Sequence, residues 1–288
     1  TWIGISNIAP QGVVPDSVIY SFYIGAAILI LCVIYTTVKV KEMPPAEYAE
    51  YHGITEEEEK EKINMVKLLI KAPKAFWTVG LVQFFCWFAF MFMWTYTNGS
   101  VAANVFDAPT VETAVNGVSK VMLDTKSIQY QDAADWVGVL FAVQAIGSVL
   151  WAVCIPLFKN RKQIYSLSLV LGGIGFISTY FVHNQYVLFI SFLLIGCAWA
   201  AMLALPFTIL TNALSGGHMG TYLGLFNGTI CIPQIVAATL GGSILALFTP
   251  KGMLPPEINM LVMAGVMLII GAVCVYLIKE TKGEQAKA

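Results

Sequence analysis

Seven stretches of about 20 mainly apolar residues recur along this chain, and each is long enough, as a helix rising 1.5 Å per residue, to cross roughly 30 Å of hydrocarbon. They fall at about 18–38, 76–97, 136–158, 164–182, 186–210, 221–248 and 258–278. Open sheets are excluded in such a solvent, because lipid offers no partner to an unpaired N–H or C=O group. The expected fold class is therefore an all-α membrane protein with seven transmembrane helices. Composition agrees: 58% of the 288 residues are hydrophobic and 11% charged, against about 25% charged in soluble domains. A net charge of -1 supplies no basic field for nucleic acid, which excludes DNA- and RNA-binding readings.

Lysine and arginine near span ends stay on the cytoplasmic side. With the first span entering from outside, the connections at 39–75, 159–163 and 211–220 and the tail from Lys279 face the cytoplasm and hold 13 of the 16 basic residues. Lys120, Lys126 and Lys251 remain outside. The chain is thus expected to be an integral, multi-pass protein of the plasma (inner) membrane with a cytoplasmic C-terminus. Residues 1–17, with Pro10, Gln11, Gly12 and Pro15, resemble an external loop entering a span mid-protein, so the chain reads as a fragment.

Organisation follows from the connections. Residues 1–38 comprise an outer loop and a lone span; 39–75 form a charged cytoplasmic loop; 76–288 hold a compact six-span group and tail. Thr55 and Glu58 have capping-box spacing, and Ile63, Val66, Leu69 and Ile70 form a stripe, predicting an amphipathic helix on the membrane surface. Short turns predict that the third, fourth and fifth spans pack side by side, and that the 99–135 connection is a long loop. Gly172, Gly173, Gly175, Gly241 and Gly242 permit close helix approach. The six cysteines all fall in apolar runs and read as buried thiols.

No charged residue lies well inside a predicted span, and His52, His183 and His218 are all in loops. No metal site, cofactor site or acid–base pair can be assembled from these groups, so an enzyme is not expected. Neutral amides and indoles remain. Gln83, Trp87, Phe90 and Trp94 follow at steps of four, three and four, along one helical face. An amide followed by a ladder of rings suits a sugar, with hydrogen bonds to hydroxyls and ring faces against C–H surfaces; packing on neighbouring helices, or interfacial anchoring for Trp94, uses the same residues. Gln144 and Trp151 share a face of the third span, seven residues and roughly 700° apart. In the sixth span Asn227 and Gln234 flank Pro233, which frees a carbonyl one turn back and predicts a bend there. Hydrogen bonding between helices is the alternative role for each amide.

The stretch Gly224-Leu225-Phe226-Asn227 through Ile232-Pro233-Gln234, with Trp87-Phe88-Ala89-Phe90 ahead of Thr97-Asn98-Gly99, and Ala9-Pro10-Gln11-Gly12-Val13, resembles the sucrose/proton symporter-like branch of the glycoside and cation symporters, within the major facilitator superfamily. The likeness covers the whole chain. It implies the C-terminal part of a twelve-span fold, from the sixth span onward, whose missing partner is an N-terminal five-span segment of the same protein. It also implies secondary transport of a di- or oligosaccharide by alternating access, coupled to a proton. Gln83, Trp87, Phe90, Gln144, Trp151, Asn227 and Gln234 would then line the solute cavity. The Lys159-Asn160-Arg161-Lys162 turn is similar to the superfamily's cytoplasmic gating motif but lacks its acidic partner. Where the branch often has Thr-Asp, this chain has Thr97-Asn98, so a carboxylate is missing there; with none inside these spans, the proton-carrying residue is expected outside this chain. Export of a neutral or lipophilic molecule is the main alternative. A seven-span receptor is remote, since neither Asp-Arg-Tyr nor Asn-Pro-x-x-Tyr is present at the required places.

Overall fold

A computed structural model describes residues 14–41, 44, 47, 65–115, 118–214 and 219–278. The chain divides into two compact units, Thr1–Glu61 and Lys62–Ala288. In the first, α1 (Asp16–Lys39) is a 24-residue helix entered from Pro15, with Asp16 in its first turn and Lys39 in its last, the order that the helix dipole favours. Three of its hydroxyls are satisfied within the helix: Ser21, Thr36 and Thr37 each donate to the carbonyl four residues back.

The second unit contains α2 (Met65–Ile70), α3 (Lys74–Asn104), a hairpin of β1 (Thr110–Val115) and β2 (Val118–Leu123), then α4 (Ile128–Cys154), α5 (Arg161–Ser178), α6 (Leu188–Ala213), α7 (Met219–Phe226), α8 (Gly228–Phe248) and α9 (Ile258–Cys274). Helices occupy all seven predicted spans. Among the described residues six helical stretches are long and apolar enough to cross a membrane; α5 is the exception, because Arg161, Lys162 and Gln163 take up the first turn of only 18 residues. It is nonetheless wedged between α6 and α9.

Packing runs α4, α6, α5, α9, α3, α8, with α3 also touching α4 and α6. The fifth span, α6, thus packs broadly against both the third and the fourth, which meet each other more narrowly, through Trp151 and Ser168. Glycines select this order. A Cβ on Gly196 of α6 would meet the carbonyl oxygen of Gln144 in α4, and one on Gly175 of α5 would lie 2.6 Å from the Ser191 oxygen of α6. On the opposite face of α5, a Cβ on Gly173 would lie 2.9 Å from the Gly265 oxygen of α9. Side chains cannot reproduce these approaches. Gly242, by contrast, meets nothing within 4 Å, so close approach at that pair belongs to Gly241 alone, beneath the Tyr96 hydroxyl.

Two further expectations change. The connection after the second span is not a long loop: α3 continues to Asn104, an antiparallel hairpin pairs Thr110 with Leu123 through Val115 with Val118, and α4 starts at Ile128. The Ser127 hydroxyl caps α4 by accepting from Tyr130 N at 3.3 Å. Between the strands the sequence reads Asn116-Gly117, the dipeptide that two-residue hairpins prefer. Secondly, Cys32 and Cys231 are exposed rather than buried. Apolar runs in spanning helices cover outward faces as well as the core. In the sixth span the helix is also interrupted at Asn227, and Pro233 lies inside α8. Phe226 O is taken by the Thr229 hydroxyl at 2.7 Å, and Ile230 N turns to Asn227 O at 3.0 Å, which Cys231 N also reaches at 3.1 Å, so the turn is locally tightened before the proline.

The Thr55–Glu58 capping box and Ile63 lie outside the described residues. The described end of that predicted helix, α2, leaves Val66 and Ile70 exposed and packs against α7, where the Tyr222 hydroxyl donates to Leu68 O at 3.3 Å.

Candidate functional site

The seam between α3 and α6 collects the polar and aromatic groups that periodicity placed on one face. Gln83 is fully buried; its Nε2 donates to Met202 O of α6 at 3.2 Å, while its Oε1 has no partner. One turn further along α3, and one turn back along α6, Trp87 meets Trp199 edge-on with ring centroids 5.9 Å apart. Phe90 packs against the same indole at 4.9 Å and against Phe176 of α5 at 5.8 Å. Trp94 reaches Trp199 at 5.8 Å and Trp87 at 6.4 Å. The register follows from two antiparallel helices, each advancing one turn per 3.6 residues.

Exposure grades along this cluster. Trp94 is 43% exposed, Trp199 half-buried and Trp87 buried at 8%. The Trp87 indole N–H has no acceptor, although buried indoles usually find one. Two unsatisfied polar atoms, Gln83 Oε1 and Trp87 Nε1, thus lie one turn apart on α3. Leaving each unpaired costs about 1–3 kcal/mol. A neutral, hydroxyl-bearing molecule can satisfy both, since its hydroxyls donate to the amide oxygen and accept from the indole.

The other predicted residues lie elsewhere in the bundle. Gln144 is buried on α4, with its backbone against Gly196 of α6. Trp151, near the end of α4, donates its indole N–H to the Ser168 hydroxyl of α5 at 2.8 Å. Asn227 is exposed at the α7–α8 break, and Gln234 is half-buried on α8, which packs chiefly on α3. Lys159 and Arg161 are exposed. Between them Asn160 caps α5, its Oδ1 accepting from Lys162 N and Gln163 N at 3.1 and 3.2 Å. That residue gives the basic turn its shape. Trp199 is the centre of the indole cluster, and its single Trp in an apolar run marked it only weakly. No group of three or more His, Cys, Asp or Glu residues among the described residues could hold a metal ion.

Helices of this length and polarity, bundled around glycine seams, define a multi-pass α-helical membrane protein with a buried neutral polar cluster. Residues 101–288 match the Major Facilitator Superfamily, and the chain belongs to that superfamily. Its function is accordingly membrane transport: major facilitators carry small molecules across the lipid bilayer. No curated protein matches the chain.

Proposed function

We propose that the protein is a sugar transporter of the glycoside–cation symporter type, moving a di- or oligosaccharide together with a proton by alternating access. The observation that carries this reading is the pair of unpartnered buried atoms, Gln83 Oε1 and Trp87 Nε1, beside three indoles graded from exposed to buried. A sugar has what they lack: hydroxyls for the amide and the indole N–H, and C–H faces for the rings. Gln144, Trp151, Asn227 and Gln234 line the wider path, and Lys159, Arg161 and Lys162 serve the cytoplasmic gate. In the orientation set by the basic residues, the Asn104 end of α3 is extracellular and the C-terminus cytoplasmic, in the plasma membrane. Residues 1–38, 39–75 and 76–288 then act as the last span of one half, the central loop and the second half of a twelve-span carrier.

The test is uptake of labelled disaccharide into proteoliposomes across a range of pH. Trp87→Phe keeps the ring and removes the donor. Loss of one hydrogen bond, about 0.5–1.5 kcal/mol, raises KM by about 2- to 12-fold. An unchanged KM for every disaccharide tested, with lipophilic solutes still carried, overturns the sugar reading in favour of export of a lipophilic molecule.

A further inference from the structure

Glu257 immediately precedes α9, just outside the last membrane-crossing stretch, and its carboxylate is not spent on capping that helix. It turns instead onto α3, where it fills the space that a side chain at residue 99 would need. A Cβ on Gly99 would overlap Oε2 and lie 2.9 Å from Oε1. Gly99 is buried, and α3 and α9 form one of the broadest seams in the bundle. The half-buried carboxylate therefore sits in the seam between two helices, at the end of the bundle where the connection between α8 and α9 also lies.

We propose that Glu257 is a proton-binding site, and that the proton it holds keeps the Asn104 end of α3 packed against the start of α9. Among the described residues no Lys, Arg or His side chain neutralises it. From α3 the titratable neighbour is Tyr96, which is neutral when protonated and offers no positive charge. From α5, the helix ends near Tyr180 and His183, both exposed; the ring nitrogen Nδ1 of His183 is within 3.2 Å of Asn104 O. From α8, the following turn holds Lys251, also exposed. Burial without a cation disfavours the charged form, pushing the Glu257 carboxyl from 4.5 up to about 7.

The sign follows from linkage. The packed form raises the carboxyl above its hydrated value, so packing gains most below about 4.5, weakens as pH rises and levels off above about 7. The full span corresponds to a factor of roughly 300, ten-fold for each step of one in pH. Protonation closes this seam; deprotonation admits water and parts it. The inference stands on the α3–α9 packing and does not depend on which solute is carried.

The experiment is hydrogen–deuterium exchange of the protein in lipid nanodiscs at pH 5 and pH 8, corrected for the intrinsic pH dependence of exchange. Wild type should exchange up to about 100-fold faster at pH 8 in peptides covering 96–104 and 255–262, with the remaining helices unchanged. Glu257→Gln, which mimics the protonated form, should stay protected at both values. Gly99→Ala, which evicts the carboxylate, should exchange fast at both. A pH response that persists in Glu257→Gln or in Gly99→Ala, or that is missing from wild type, overturns the proposal. No solute enters the measurement, so its outcome is separate from that of the uptake assay.

Discussion

Replacing Gly196 by alanine tests the central seam of the bundle with a single methyl group. The added Cβ would overlap Gln144 O and lie 2.8 Å from Ser148 N and 3.0 Å from Gly147 C, all of them backbone atoms of α4. Ordinary contact begins near 3.4 Å, so the nitrogen alone demands that the helices part by about 0.6 Å (3.4 minus 2.8). No rotamer change can relieve it. A gap of that size forfeits about a quarter to a half of each dispersion contact along the seam. Overpacking of this kind costs about 1–3 kcal/mol. At about 2–4 °C per kcal/mol for a large domain, the melting point should fall by about 2–12 °C. With the other five cysteines, exposed Cys32 and Cys231 among them, replaced by alanine, the natural reporter is the adjacent Cys197, buried in the native bundle, whose reaction with a thiol-sensitive dye follows unfolding on heating. Gly138→Ala is the control: it lies on α4 with nothing within 4 Å and should leave melting unchanged or raise it slightly. If Gly196→Ala melts with wild type, the α4–α6 seam is not as close as described, and the burial of Gln144 at that seam loses its support.

Two further substitutions separate stability from function. Gln83→Leu removes a buried amide that already has an unpaired oxygen, so stability should hold within about 1 kcal/mol or improve. Disaccharide uptake should nevertheless fail, and a large loss of melting temperature would instead assign Gln83 to structure. Asn160→Ala removes the cap of α5 and should cost about 1 kcal/mol, read as faster hydrogen exchange confined to 161–165. Exchange equal to wild type would show that the basic turn is held by something other than this cap.

The common face of Gln83, Trp87, Phe90 and Trp94 was legible in the residues, because steps of three and four align on any helix regardless of its surroundings. What that face meets was not. Its partners, Trp199 and Met202, are more than 100 residues away, and α6 is apolar enough throughout that no stripe distinguishes its inward side. The same limitation hid the partner of Trp151, whose indole N–H donates to the Ser168 hydroxyl of α5. The interruption at Asn227 was not legible, because a threonine hydroxyl capturing a carbonyl leaves little trace in sequence.

Membrane residence and the helical character of the spans follow from local hydropathy, since a bilayer tests each segment on its own length and polarity. Order within the bundle was decided only by tertiary contact. Lipid-exposed and protein-facing surfaces are equally apolar, so the close approaches at Gly147, Gly173, Gly175 and Gly196 select neighbours where hydrophobicity cannot. Glu257 shows the difference most plainly. By sequence it is one acidic residue beside a span, and only the missing side chain at Gly99, 158 positions earlier, lets its half-buried carboxylate settle against α3.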